Sequence, residues 1–274
     1  MNSKEPKILS FVNLKGGVGK TALSVNFAAF CGLKGLKTLL IDMDPQTNAT
    51  FSCISLEVWK DHSINKGTVA NLMGMKRHTT AEGSYITADK VIIKDVFENC
   101  DLLPSHIDLF TIDLDMAGAT ARETKLKRAL NPIIGKYDII ICDCPPNLTI
   151  PTQNALAIST HYAVPVSPDF LSAIGVGILL NRVKEFCDDL DHHLTHVGII
   201  ISRIGRPTQH RFDIQKDLKT EFGTLVLKTE INERSAVSEA TAQNKPVYSM
   251  GNKQAKTEFE QCSEELLTKI GIKL

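Results

Sequence analysis

The chain has 274 residues, of which 43% are hydrophobic and 23% charged, and 31 basic residues balance 31 acidic ones. Zero net charge gives no overall case for binding nucleic acid or membrane, so any basic surface must be local. The seven scattered cysteines form no C-x-x-C pair, which argues against a disulfide framework or a zinc ribbon. With neither a signal peptide nor an apolar run near the ~20 residues of a membrane span, we expect a cytoplasmic protein.

The segment from Lys7 to Thr21 predicts a phosphate-binding loop. Its sequence, KILSFVNLKGGVGKT, reads as a short apolar strand, a glycine loop and the start of an apolar helix. Glycines let the backbone direct N–H groups at one anion, and the helix N-terminus adds positive potential. Lys20 would reach the β- and γ-phosphates, and the Thr21 hydroxyl would bind Mg²⁺. A purely structural glycine turn is the alternative, but the G-K-T ending between strand and helix favours a nucleotide site.

The spacing of this loop departs from the common pattern. The usual first glycine of G-x-x-x-x-G-K-[ST] would fall at Leu14, and Lys15 places a second lysine in the loop. After the loop, Ala22 to Cys31 predicts a helix that is apolar nearly all round and therefore covers a sheet. Gly32 and Gly35 are expected to end that helix.

A second buried strand is predicted at Lys37–Ile41, and Asp42 and Asp44 follow at its carboxyl end. Ligands bind at that end in open α/β sheets, so two carboxylates there suit Mg²⁺ and an organised water. A solvated strand-end turn, closed by Asp44-Pro45, is the alternative.

The middle of the chain gives weaker signals. Residues 48–100 allow only a short helix around Val69–Met73. Cys100–Leu103 predicts a strand, and helices are expected from Ile107 and over about Thr120–Ile134.

A third buried strand is predicted at Tyr137–Cys142, and it ends in Asp143. Apolar residues closed by an aspartate match the Walker B arrangement, in which the carboxylate holds Mg²⁺ through a water. This pattern is weak alone and strong downstream of a phosphate-binding loop. A fourth strand is predicted at Tyr162–Val166, and Ser167-Pro168-Asp169 follows it.

The next helix is predicted to turn apolar residues at helical spacing toward the core. These residues are Ile174, Ile178, Val183, Phe186 and Leu190. His192 and His196 then lie four residues apart, as in some metal sites. A strand predicted at Val197–Ile201 breaks that helical geometry, and no cysteine or motif carboxylate supports a metal there.

A basic segment, 202–222, separates this strand from a last strand predicted at Thr224–Leu227. Its helix has a buried apolar stripe and a basic polar face. The stripe is Ile214, Leu218 and Phe222, and the polar face holds Arg211, Gln215 and Lys219. Because Asp213 and Asp217 intervene, a solvated face with ion pairs and a DNA-binding surface both remain open.

The closing helix, Gln254–Ile270, is predicted to bury an apolar stripe and expose an acidic face, which does not suit a membrane anchor. The stripe is Phe259, Cys262, Leu266 and Ile270, and the acidic face is Glu258, Glu260, Glu264 and Glu265. Strands and helices alternate without internal repeats or a long linker. We therefore predict one domain over residues 1–274, an α/β fold with a doubly wound, mainly parallel sheet flanked by helices.

Three segments resemble the ParA group of deviant Walker A ATPases, which partition plasmids, chromosomes and other cargo. They read K-G-G-V-G-K-T at the loop, I-D-M-D-P-Q-T-N-A-T after the second strand and Y-D-I-I-I-C-D-C-P-P at the third. The likeness extends to V-P-V-S-P near residue 166 and to S-E-A-x(4)-K-P-V at Ser238–Val247. It therefore covers nearly the whole chain.

The resemblance implies that ATP is bound between two copies of the chain. Lys15 would reach across an ATP-bound sandwich dimer to the partner's phosphates, whereas Lys20 would bind phosphates in its own subunit. Hydrolysis would then depend on assembly of the homodimer. The implied nucleotide-binding residues are Lys15, Gly16, Gly17, Val18, Gly19, Lys20, Thr21, Ala22 and Asn232.

The resemblance also implies how the reaction is supported. Thr21 would ligate Mg²⁺, Asp42 and Asp143 would support the metal, and Asp44 would help to position the attacking water. With little covalent work for the protein to do, positioning and charge neutralisation dominate phosphoryl transfer. The implied catalytic residues are Lys15, Lys20 and Asp44.

Two partners follow from the same resemblance. The ATP-bound dimer would bind DNA without sequence preference and lie on the nucleoid, and a ParB-like or cargo-bound protein would stimulate hydrolysis. The candidates for DNA contact are Arg203, Arg206, Arg211, Lys219, Arg234 and Lys245.

The chain departs from the family pattern at several positions. Thr47 stands where the family usually has glycine, and Ala22 stands where it usually has a second threonine. Ile231-Asn232-Glu233-Arg234 replaces the usual Ile-Pro-Arg-Asn, so a proline that often shapes the adenine pocket is missing. Glu233 replaces an arginine often found on the DNA face, and Arg234, one place on, is the candidate to compensate.

Two relatives of other function remain as alternatives. A membrane-cycling ATPase that resembles MinD would need a membrane anchor, which the acidic closing helix does not suggest. An iron–sulfur relative such as nitrogenase iron protein would need cysteines placed to bridge two subunits, and no cysteine lies in a matching motif.

Overall fold

The computed structural model describes residues 5–75, 86–169, 172–206 and 208–273. Its centre is a single seven-stranded sheet built from the apolar runs of the chain. The strands are β1 (Lys7–Phe11), β2 (Thr38–Asp42), β3 (Ile93–Phe97), β4 (Cys100–Leu103), β5 (Ile139–Asp143), β6 (His161–Val166) and β7 (Thr195–Ile201).

The strand order is β3-β4-β2-β5-β1-β6-β7, and every pairing is parallel except the antiparallel pair β3–β4 at one edge. The central strands β2 and β5 are buried at every position, as expected when helices cover both faces of a parallel sheet. This architecture confirms the predicted doubly wound, mainly parallel α/β fold.

Helices connect the strands and cover both faces of the sheet. The longer ones are α1 (Lys20–Leu33), α3 (Leu56–Asn65), α8 (Ile150–Ile158), α9 (Ser172–Asp189), α10 (Gln209–Phe222), α11 (Ser235–Ala242) and α12 (Lys253–Lys269). The short ones are α2 (Asn48–Cys53), α4 (Val69–Leu72), α5 (Ala88–Val91), α6 (Ile112–Asp115) and α7 (Lys125–Leu130).

Alternate residues of the strands divide between two hydrophobic cores. Ile8 and Ile140 point into the core shared with α7, α8 and α9. Their neighbours Leu9 and Ile141 point into the core shared with α1 and α12. Because successive strand side chains lie on opposite faces, each central strand holds two helical layers together.

The predicted stripe of the closing helix is confirmed, since Phe259, Cys262, Leu266 and Ile270 are all buried. The stripe predicted for α9 is partly wrong. Val183 is buried as predicted, but Ile174 and Ile178 are 61% and 50% exposed, and Val176 and Leu179 pack on the sheet in their place. The helix has apolar residues on two faces, and the sheet covers only one of them.

Two other local predictions are wrong. Thr224–Leu227 forms no strand: its single bridge to β7 joins Val226 to Ile199, and a 3-10 turn occupies Gly223–Leu225. The helix expected over Thr120–Ile134 is only the six residues of α7 with short 3-10 turns before and after it. Pro132 ends it, because proline lacks the N–H that a further helical turn requires.

The region 48–100 contains more structure than its sequence suggests. Helices α2 and α3 and the edge strand β3 lie there, and only α4 matches the expected helix around Val69–Met73. β3 carries exposed Lys94 and Asp95, and Asp95 has a positive φ of 53°. An edge strand with polar residues and a bulge gives no alternating pattern to recognise. The helix expected from Ile107 is a 3-10 turn followed by the four residues of α6.

Candidate functional site

The carboxyl ends of β1, β2 and β5 meet at one edge of the sheet. Asp143 at the end of β5 pairs in register with Phe11 of β1 and with Asp42 of β2. The glycine loop leaves β1 at this edge and returns as α1. Parallel strand pairing therefore brings the loop and both aspartates together from three separate parts of the chain.

Two glycines give the loop its path. Gly17 and Gly19 have φ values of 73° and 84°, in the left-handed region that side chains disfavour. A Cβ atom at Gly19 would also lie 3.5 Å from Arg203 and 3.6 Å from Ser202, which pack against the loop. The Ser202 hydroxyl donates to the carbonyl of Val18 at 2.6 Å. Gly19 caps the N-terminus of α1, so the first free N–H groups of that helix lie at the loop.

The two lysines of the loop point in different directions. Lys20 is 6% exposed, and its Nζ donates to the carbonyl oxygens of Lys15 at 2.8 Å and Asn13 at 3.3 Å. Burial lowers the pKa of Lys20, and the nearby Asp143 carboxylate opposes that shift. The Lys15 side chain is 38% exposed, and its Nζ lies 2.5 Å from Oδ1 of Asp169. Lys20 thus lies inside the loop and Lys15 at its surface.

Asp143 accepts two hydrogen bonds from α1. The Thr21 hydroxyl donates to its Oδ2 at 2.8 Å, and the Ser24 hydroxyl donates to its Oδ1 at 2.9 Å. Asp143 is fully buried, and burial raises its pKa despite these bonds. Sequence reasoning did not identify Ser24, although it follows Thr21 by one helical turn.

Asp42 orients the loop that follows β2. Its Oδ2 accepts from the backbone N–H and the hydroxyl of Thr50 at 2.8 and 2.7 Å, and its Oδ1 accepts from Asp44 N–H at 3.1 Å. Burial and the adjacent Asp143 raise the pKa of Asp42. Burial also raises the pKa of Asp44, whose Oδ1 accepts from Gln46 N–H at 2.9 Å.

A chain of contacts links these aspartates to the sole tryptophan of the sequence. Ser105 donates through its hydroxyl to the Asp44 carbonyl at 2.7 Å, and its own carbonyl accepts from Trp59 Nε1 at 3.0 Å. The Trp59 ring stacks on His106 at 5.4 Å and meets Phe51 edge-on at 5.5 Å. Sequence reasoning assigned no role to Ser105 or Trp59.

A cleft of about 470 Å³ opens from the glycine loop. Its walls come from the start of α1, from α2, from α11 and from the segment 231–234. The predicted nucleotide-binding residues Gly16, Gly17, Gly19, Lys20, Thr21, Ala22 and Asn232 line it, and so does Asp44. The structure thus brings most of the predicted site residues into one cavity large enough for a nucleotide.

The predicted DNA-binding residues fall into two groups by their ion pairing. Three of them are ion-paired: Arg203 with Glu233, Arg234 with Glu258, and Lys219 with Glu230. Arg203 also donates to the Gly17 carbonyl at 2.8 Å. Both Arg203 and Arg234 line the cleft. The other three, Arg206, Arg211 and Lys245, have no ion pair within the described residues.

The donor set at Thr21, Asp42 and Asp143 fits a hard cation. All three offer oxygen ligands. Asp42 and Asp143 are buried carboxylates on adjacent strands with raised pKa values, and a bound cation would stabilise their ionised forms and lower those pKa values. Within the described ranges, no group of three or more His, Cys, Asp and Glu residues could hold a metal. Mg²⁺ would therefore bind largely through nucleotide phosphates. His192 Nε2 donates to the Leu156 and Ser159 carbonyls, and the His196 ring stacks on Tyr162, so these two histidines share no site.

Comparison with known proteins assigns the chain first to a class of protein and then to a family. The loop, its helix and the two strand-end aspartates define a P-loop NTPase, and a model of the AAA domain family matches residues 6–196. The chromosome-partitioning ATPase Soj of Treponema pallidum is 31% identical over 267 residues, 97% of this chain and 98% of Soj. The chain therefore belongs to the ParA-type partition ATPases.

Solved structures agree with this assignment. A plasmid partition protein of Borrelia burgdorferi bound to AMPPNP has a TM-score of 0.78 at 26% identity, covering 96% of this chain and 99% of that protein. Cobyrinic acid a,c-diamide synthase of Mycobacterium smegmatis, with bound ATP analogue and magnesium, has a TM-score of 0.74 at 25% identity, covering 96% and 94%. No helix among the described residues is long and apolar enough to span a membrane.

Proposed function

We propose that this ParA-like positioning ATPase binds ATP and Mg²⁺ as a single domain over residues 1–274 and forms an ATP-bound sandwich homodimer. The dimer binds DNA without sequence preference on the nucleoid. A ParB-like or cargo-bound partner stimulates hydrolysis of ATP to ADP and phosphate. The cycle of assembly and release then segregates or positions plasmid, chromosome or other cargo.

The observation that carries this proposal is the opposite placement of the two lysines in one loop. Lys20 is buried among the loop carbonyls, where its ammonium group can bind the phosphates of a nucleotide in its own subunit. Lys15 lies at the loop surface, from which a lysine side chain can reach a second molecule. Its charge would reach the partner's phosphates only in the dimer, so turnover would depend on assembly.

The other residues act by binding and orientation. The loop from Gly16 to Gly19, with Val18 contributing backbone only, cradles the phosphates at the N-terminus of α1. Thr21, Asp42 and Asp143 hold the Mg²⁺ site, and bound Mg²⁺ neutralises phosphate charge. Asp44 orients the attacking water from the cleft wall.

The test distinguishes the roles of the two lysines by measuring nucleotide binding and ATP-dependent dimerisation separately. Lys20→Ala is expected to abolish binding of a fluorescent ATP analogue, because the cleft loses its buried cation. Lys15→Ala is expected to retain binding but to remain monomeric with ATP in analytical ultracentrifugation. Lys37→Ala, which removes an exposed lysine away from the loop, serves as the control. Full ATP turnover by the Lys15→Ala variant would contradict the sandwich dimer.

A further inference from the structure

The segment Asn232–Arg234, where the chain departs from its family, is held by one carboxylate behind the cleft. Glu258 on α12 accepts four hydrogen bonds from this segment. Its Oε1 accepts from Asn232 Nδ2 at 2.9 Å and from Arg234 Nη2 at 2.5 Å. Its Oε2 accepts from the Asn232 backbone N–H at 3.1 Å and from Arg234 Nε at 3.3 Å.

This carboxylate is built into the fold. The Glu258 and Arg234 side chains are only 16% and 24% exposed. Burial raises the pKa of Glu258, but hydrogen bonds from Arg234 and Asn232 outweigh it, so the net shift is downward and the group is ionised. The segment is also tied to the end of β7, since Ile231 N–H donates to the Ile201 carbonyl and Glu233 N–H donates to the Ile204 carbonyl.

An ionised carboxylate can only accept hydrogen bonds, so it fixes which way the Asn232 amide faces. The amide nitrogen must point at Glu258, and the amide oxygen is the polar atom left to face elsewhere. Within the described residues no group donates to that oxygen, and the oxygen is not a buried atom without a partner, so it is accessible to solvent. Asn232 itself lines the cleft. Its Oδ1 is therefore an acceptor available to a bound ligand.

We infer that Glu258 is a positioning residue that presents Asn232 Oδ1 to the nucleotide base and so selects a base with an exocyclic amino donor. Adenine offers its N6 amino group to this acceptor. Hypoxanthine and guanine present a carbonyl oxygen at the same position, and two acceptors cannot form a hydrogen bond. This inference rests on the proposed nucleotide function of the cleft and adds the source of its base preference.

The experiment compares ATP with ITP, which differ at the 6-position of the purine and the adjoining N1. Wild-type protein with Mg²⁺ should bind ATP at least about tenfold more tightly than ITP by calorimetry, because a mismatched base leaves a polar group unpaired. Asn232→Ala should reduce that ratio to near one while triphosphate binding persists. Glu258→Gln should reduce it or invert it, because a glutamine amide can donate to Asn232 Oδ1 and turn Nδ2 to the cleft.

Glu260→Gln is the matched control, because Glu260 lies on the same helix and pairs only loosely with Lys256 at 3.8 Å. Its ATP-to-ITP ratio should equal that of the wild type. The inference is overturned if wild-type protein binds ATP and ITP equally, or if either Asn232→Ala or a folded Glu258→Gln variant keeps the full preference. Failure of the wild type to bind either nucleotide would instead overturn the proposed function and the inference with it. Asn232→Ala keeps the test decisive if Glu258→Gln does not fold.

Discussion

Lys15 Nζ lies 2.5 Å from Asp169 Oδ1, so the lysine that we propose acts on a second subunit is bound within its own chain. Asp169 itself accepts a hydrogen bond from the Ser167 hydroxyl at 2.7 Å, which holds the carboxylate in place. Lys15 must leave this acceptor before it can reach a partner's phosphates. Formation of the proposed dimer would therefore compete with an intrachain ion pair.

Asp169→Asn should shift assembly toward the dimer, because it removes the charge that competes for Lys15. The pair is largely exposed, so the effect should be modest, about two- to fivefold in the ATP concentration for half-maximal dimerisation. Light scattering across an ATP series measures it. The same substitution in a Lys15→Ala background should have no effect, and an equal effect there would show that Asp169 acts by another route.

Asp44→Asn should slow hydrolysis by about 100-fold while ATP affinity changes little, because a group that orients the attacking water acts on the reaction step. Burial raises the pKa of Asp44. A carboxylate is active here when ionised, so turnover should fall as pH decreases toward that raised pKa. Steady-state ATPase assays at several pH values measure both effects. Asp89→Asn, which alters an exposed carboxylate paired with Lys136, should leave the rate unchanged.

Thr47→Gly should stabilise the fold. Thr47 has a φ of 58°, and a β-branched residue in the left-handed region is strained by about 1–2 kcal/mol, whereas glycine is not. The net gain should be about 1 kcal/mol after the extra entropy of glycine in the unfolded chain. Urea unfolding measures the change. Thr47→Ala should gain less, since alanine shares the left-handed strain, and a destabilised glycine variant would contradict the prediction.

His196→Phe should reduce the loss of stability in acid. Burial lowers the pKa of His196 from an ordinary 6.5 to about 4, and its Nε2 has no hydrogen-bond partner among the described residues. The unfolded chain therefore takes up this proton at a higher pH than the folded chain. Stability is retained above pH 6.5 and falls as pH drops toward 4, by about 1–2 kcal/mol at pH 5.

Phenylalanine keeps the ring that stacks on Tyr162 but cannot be protonated. Urea unfolding at pH 7.5 and pH 5 should show a smaller difference for His196→Phe than for the wild type. The exposed His193 provides the control, and His193→Phe should show the wild-type difference.

The proposed DNA binding should depend most on the candidate basic residues that form no ion pair within the described part of the chain. Arg206→Ala and Arg211→Ala should each weaken binding by the ATP-bound protein and lower the slope of log affinity against log salt by about 1. Lys219→Ala should have a smaller effect, because Glu230 already pairs with Lys219 at 2.7 Å. Gel shifts across a salt series measure this. Equal loss in all three variants would show that ion pairing does not decide the contact.

The sequence predicts the nucleotide end of the molecule well, because local rules determine it. Glycines with positive φ, the helix start at Lys20 and the strand-end aspartates are each recognisable within a few residues. The family preference for glycine at position 47 also has a local cause, since the backbone there is left-handed.

The remaining contacts could not be predicted because they join distant parts of the chain. Asp169 is 154 residues from Lys15, and Glu233 is 30 residues from Arg203. Their pairing depends on how loops after β1, β6 and β7 meet at one edge of the sheet. The environment of Glu258 could not be predicted for the same reason. The acidic pattern of α12 indicates a solvated face, yet the Glu258 side chain is largely buried against Asn232 and Arg234.

The position of Trp59 gives the unlabelled protein its own optical signal. It is the sole tryptophan of the chain, and Ser105 connects its indole N–H to the backbone carbonyl of Asp44. If the loop after β2 that contains Asp44 moves on nucleotide binding, the polarity around that indole should change. We therefore expect intrinsic tryptophan fluorescence to follow the filling and emptying of the cleft in real time.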